Sequence, residues 1–179
     1  MINYRTYLLA AIPFLILFAC QENSFTQEDE VLIDTDMDAA ILLADEHQIS
    51  ENGRSDSRGR AITVFRCHKG VVYFDTNTDD YRGYQVLEET SVTAIVQPGE
   101  YIYWYSGGGI TDLENIEFDS ESESYLEELP EEFKPNRMWV LEVPENYDLT
   151  QDHLKYDIVY ESKDNEGYIR LDPKIQVKQ

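Results

Sequence analysis

The sequence predicts a mainly β protein built as an antiparallel β-sandwich. Three observations predict it. From residue 61 onward, β-branched and aromatic residues come in short runs. Those runs, eight or nine by eye, are mostly spaced by turn residues at intervals of about 8–12. No strand–helix–strand rhythm and no internal repeat interrupts them, which argues against a parallel α/β sheet. The length, 179 residues, suits one ordinary domain.

The elements follow in order. Residues 1–19 read MINYRTYLLAAIPFLILFA, a short positive start with Arg5 and then an apolar run from Leu8. Twelve apolar residues are too few to cross a bilayer, which takes about 20 in a helix, but they fit a secretory leader. The run ends Leu17-Phe18-Ala19-Cys20. This resembles the lipobox of bacterial lipoproteins: a branched apolar residue, two more residues with a small one last, then Cys. The family prefers a small residue where Phe18 stands. The resemblance implies that Cys20 carries a diacylglycerol thioether and becomes the first residue of the mature chain. Acyl chains contribute ~0.8 kcal/mol per buried CH₂, and two or more anchor durably. Gln21 follows, not the Asp that marks inner-membrane retention in enteric bacteria. The stretch QENSFTQEDE loosely resembles the acidic export tethers of surface lipoproteins in the Bacteroidota. The expected placement is the cell envelope, at the outer membrane or cell surface.

Residues 20–60 read as an acidic tether with a short helix near 36–48. Thr35 and Asp38 resemble a capping box there, and Met37, Ala40, Ile41, Ala44 and Ile49 form a ragged stripe. Residues 50–59 (SENGRSDSRG) read as linker. Residues 61–179 are the expected sandwich. Strands are expected at 61–67, 71–75, 84–88 and 91–97. Pro98-Gly99 then makes a type II turn into 101–106 (YIYWYS), the strongest strand signal in the chain. Residues 112–132 hold ten acids and no Lys or Arg, and read as a solvated loop with a two-turn helix at 122–129, Leu126 and Leu129 inward. Strands resume at 137–143 and at 154–161, where Leu154, Tyr156, Ile158 and Tyr160 share one face. Two short strands, 168–171 and 174–177, close the chain around Asp172-Pro173. The roughly 119 residues involved match an immunoglobulin-like or cupredoxin-like sandwich, an analogy of fold that says nothing about activity.

Charge excludes several partners. The formal net charge is −22, and residues 21–179 hold 13 basic and 36 acidic residues. Nucleic-acid affinity comes largely from cations meeting phosphate, so no nucleic-acid partner is expected. Docking on anionic lipid by charge needs Lys/Arg clusters, so membrane attachment is expected through lipid on Cys20. Eleven Tyr, five Phe and two Trp beyond residue 20 supply a core and oppose disorder.

Chemistry-bearing constellations are sparse. A blue-copper site needs His, Cys, His and Met together. Here Cys67 and His68 are adjacent, so on a strand they point to opposite faces, and the next Met is Met138. Zinc spacings are missing, and His47, His68 and His153 are scattered. Cys67, the one thiol beyond Cys20, cannot form an internal disulfide and reads as a small buried hydrophobe, with a reactive or intermolecular thiol as alternative. Calcium is the one metal with a candidate: Asp75, Asn77 and Asp79 alternate like the start of an EF-hand loop. The match ends at Asp80, where that loop needs Gly, and at Val86, where it needs Glu. A solvated hairpin loop explains the same residues. No other cofactor is expected.

Tyr101, Tyr103, Trp104 and Tyr105, with Trp139, are the candidate ligand-binding platform, since aromatic faces suit sugars and peptides. Core packing is the ordinary alternative. No catalytic set is visible: Gly107–Gly109 has neither the Ser of a nucleophile elbow nor the Lys of a phosphate loop. The expected function is a lipid-anchored envelope protein with a non-catalytic binding or structural domain. Its partner would be an envelope protein or glycan. An envelope hydrolase using paired carboxylates, or a calcium-stabilised adhesion module, remains the alternative.

Overall fold

The computed structural model describes residues 27–52, 59–78 and 83–179, with side chains in the first segment described for 35–50. Among these are one long helix, α1 (Gln27–Asn52), and a one-turn helix, α2 (Ser120–Glu123). Eleven strands accompany them: β1 (Arg60–His68), β2 (Val71–Thr76), β3 (Gln85–Val86), β4 (Val92–Val96), β5 (Tyr101–Ser106), β6 (Ile110–Phe118), β7 (Glu131–Lys134), β8 (Met138–Glu142), β9 (His153–Ser162), β10 (Asn165–Leu171) and β11 (Lys174–Val177).

The strands form two packed sheets, so the expected sandwich is present. One sheet runs β3-β2-β1-β5-β8-β7. In the other, β9 pairs with β6 and with both β10 and β11, and β11 pairs with β4. β10 and β11 meet β9 in one register, Leu171 opposite Ile158 and then Lys174 opposite Lys155. They are one strand interrupted at Asp172-Pro173, because a proline has no N–H for the ladder.

The sheets are mixed, which corrects the antiparallel expectation. β1 lies parallel to β5, and β4 lies parallel to β11. The chain leaves the first sheet after β3, forms β4 in the second, and returns as β5 beside β1 in the same direction. Hairpin counting from sequence does not register such a crossing.

Between the sheets lies the main core, with Phe65, Phe74, Trp104, Leu113, Tyr156 and Ile158 among its buried members. Trp104 packs against Phe118 and Tyr156 at centroid distances of 6.2 and 5.6 Å. Leu154, Tyr156, Ile158 and Tyr160 all point inward, as their alternation predicts. Cys67 is free and buried there.

A second cluster covers the outer face of the first sheet. Ile62, Val64, Tyr101, Tyr103, Met138 and Val140 face α1, which meets them with Ala40 and Ala44. Small residues one turn apart let the helix backbone lie close to the sheet. The segment expected as tether with a short helix is therefore a 26-residue helix packed on the sandwich. It is pinned at both ends of the contact. Asp36 Oδ2 accepts from Arg66 Nη1 at 3.0 Å and from the Gly108 N–H at 2.9 Å. Further along, Asp45 pairs with Arg60 and Glu46 with Lys134.

The acidic stretch 112–132 also differs from expectation. β6 begins just before it and runs into it: Leu113, Ile116 and Phe118 enter the core, while Glu114 is exposed and Glu117 pairs with Arg170. The expected helix at 122–129 is a single turn, capped by Asp119 Oδ1 on the Ser122 N–H at 2.7 Å. Leu126 packs on the core, but Leu129 is 58% exposed.

Candidate functional site

Cys20 and Asp79 lie outside the described residues. Asp75 and Asn77 sit where β2 ends, and their side chains serve the backbone. Asp75 Oδ1 accepts from the N–H groups of Thr76 and Gly83, at 2.9 and 3.0 Å. Asn77 Oδ1 accepts from the Ile62 N–H at 2.7 Å, and its Nδ2 donates to the Arg60 carbonyl at 3.1 Å. This amide extends the β1 ladder past the last residue of β2. No group of three or more His, Cys, Asp or Glu able to hold a metal occurs among the described residues.

The four aromatic residues of β5 divide between two faces. Trp104 is fully buried between the sheets, whereas Tyr101 and Tyr103 lie under α1. They form no open platform, because alternation sends neighbours to opposite sides and both sides are covered. Tyr103 Oη lies 3.1 Å from His47 Nδ1. Desolvation by burial pushes the Tyr103 hydroxyl well above the ordinary tyrosine range, and the nearby Tyr101 adds to it. Tyr105 is half-buried and shifts upward for the same first reason, with Asp36 beside it.

Tyr101 borders a small hollow. Its hydroxyl donates to Glu142 Oε2 at 2.9 Å. Around it His47, Glu128, Leu129, Glu131 and Glu142 line a cavity of about 80 Å³. A wider cleft of about 430 Å³ adjoins it, lined by Glu127, Glu128, Glu142, Pro144, Glu145 and Asn146. Glu128 and Glu142 belong to both. Five carboxylates thus converge at the end of the sandwich where α1 finishes. The β8 register carries Glu142 there, the segment before β7 carries Glu127 and Glu128, and the helix supplies His47.

Such a cleft attracts cationic groups, because like charges around a concave surface focus the field. Among the described residues its lining includes no Ser, Thr, Cys or Lys, and its chemistry-bearing groups are the carboxylates, His47 and Tyr101. His47 reads from sequence as a scattered surface or second-layer group; it is buried, with its ring edge-on to Tyr101, Tyr103 and Phe133. Glu128 and Glu131 read as part of a solvated run, and no spacing signal ties them to Glu142. The only sequence cue was acid density, which is not specific to a site.

No family model matches this chain, and no curated protein matches it. No helix among the described residues is long and apolar enough to cross a membrane.

Proposed function

We propose that this chain is a lipid-anchored protein of the cell envelope, whose sandwich is a non-catalytic binding or structural module. The single observation that carries the reading is the leader ending Leu17-Phe18-Ala19-Cys20. A Cys at that point, after a short apolar run and a small residue, resembles the lipobox of bacterial lipoproteins, and the resemblance implies lipid on Cys20. The acidic cleft at Glu128 and Glu142 supports a binding role, with a cationic or basic partner as the ligand class. The partner is an envelope component, since the lipid holds the domain at a membrane.

Metabolic labelling with a fatty-acid analogue tests the anchor. Wild-type protein is expected to incorporate the label and to partition with membranes. Cys20→Ala is expected to lose both. An unlabelled wild type, or a variant that stays membrane-bound, overturns the proposal.

A further inference from the structure

The two ends of the sandwich differ in how they are built. At one end four turns are tied together. Lys163 N–H donates to the Gly109 carbonyl at 3.0 Å, joining the β9–β10 and β5–β6 turns. The Gly70 N–H donates to Asp164 Oδ2 at 3.1 Å, joining the β1–β2 turn to them. Arg137 Nη1 donates to the Ser106 carbonyl at 3.3 Å and brings in the β7–β8 turn. Lys69, Arg137 and Lys163 are exposed on these turns. Acids stand there too: Asp36 is matched by Arg66, while Asp164, Glu132 and Glu166 are exposed on or beside these turns, Asp164 accepting from the Gly70 N–H and Glu132 from the Asn136 N–H. The opposite end carries the acidic cleft.

Helix α1 connects the two ends and gives them a direction. It docks at the four-turn end through Asp36 and reaches the cleft with His47. Its N-terminal turns therefore continue past the four-turn end, away from the cleft. Gln27 is ~30 Å along the helix from His47, at 1.5 Å per residue. Only residues 21–26 separate Gln27 from Cys20. Seven chain steps span at most ~25 Å, so Cys20 does not reach back to the cleft.

We infer that α1 acts as a short strap that orients the domain on a lipid surface, its four-turn end with Lys69, Arg137 and Lys163 toward the headgroups and its acidic cleft away from them. The inference rests on lipid attachment at Cys20. Reach, not charge, sets this orientation: the four-turn end carries exposed acids beside its cations, and the strap itself holds Glu28, Asp29, Glu30 and Asp34 with no Lys or Arg.

The test uses the full, lipidated chain in vesicles of phosphatidylethanolamine and phosphatidylglycerol that carry a headgroup quencher. Lys69→Cys and Glu145→Cys each receive a fluorophore, and wild type reports any labelling of the buried Cys67. The probe at 69 is expected to be quenched several-fold more than the probe at 145. A flexible insertion of about twenty residues between Cys20 and Gln27 is expected to abolish that difference, because the strap no longer limits the reach. Equal quenching, or stronger quenching at 145, in a chain that does carry fatty acid overturns the orientation and leaves the anchor intact. A difference that survives the insertion overturns the strap. A chain that takes no fatty acid overturns both readings.

Discussion

At the residue scale, space and backbone angle decide more than residue type. Gly109 and Gly167 both have positive φ, 84° and 77°. A Cβ at Gly109 would lie 1.9 Å from the Cys67 carbonyl oxygen, whereas one at Gly167 would meet nothing within 4 Å. Gly167→Ala is expected to cost about 1 kcal/mol, the usual penalty of a left-handed residue. Gly109→Ala is expected to cost several times that, because the β5–β6 turn must move off β1. Denaturant unfolding of the two variants checks the contrast, and equal losses would refute it. The sequence shows three consecutive glycines as a strand breaker. It does not show that Gly109 is pressed against Cys67, since that contact joins residues 42 positions apart. The Asn77 amide teaches the same lesson: as a sequence it is one step of a calcium-like pattern, while in the fold it pairs with β1.

At the scale of elements, most strands are legible in the sequence, while β6, β7 and the full length of α1 are not. β5 and β11 were read with their true ends, and β1, β2, β4, β8 and β9 within about two residues, because their alternation and flanking turns are local signals. α1 was read short and as tether. Its most buried residues are Ala40, Ala44, His47 and Gln48, with Met37, Ile41 and Leu43 only partly buried beside them, so the apolar stripe is weak in sequence. β6 was hidden because its outward residues are the acids that dominate the stretch. Docking of α1 yields a prediction. Ala44→Glu places a carboxylate against Tyr103 and Val140 in a closed face, where an unpaired charge costs several kcal/mol. The helix is expected to undock, the Tm to fall, and limited proteolysis to cut within 27–60. An unchanged Tm with a protected helix would show that α1 is not held by that face.

At the scale of the molecule, the tyrosines make stability depend on alkali. Burial pushes Tyr147 and Tyr160 up to about 12, and Tyr103 and Tyr156 higher still. Each folded value is raised above the unfolded one of about 10. Below about pH 10 both states hold the proton and the contribution to stability is whole. Above it the unfolded chain gives up protons first, so stability falls as pH climbs toward the folded values. Denaturant melts are expected to be flat between pH 8 and about 10 with respect to these groups, then to drop. Tyrosinate absorbance of the buried set is expected to rise together with unfolding. Complete tyrosine ionisation near pH 10 in a folded protein would contradict this burial.

The chain's own order of residues determined the sandwich class, most strand positions, the inward face of β9 and the acidic balance, because each is written in local periodicity and composition. Tertiary structure alone decided that the sheets are mixed, that α1 covers the Tyr101–Tyr103 face, and that acids from two separate stretches, 127–131 and 142–145, meet beside His47. These features depend on which surfaces become adjacent after collapse. Apolar area drives that collapse without direction, so the pairing of distant segments leaves no pattern within any one of them.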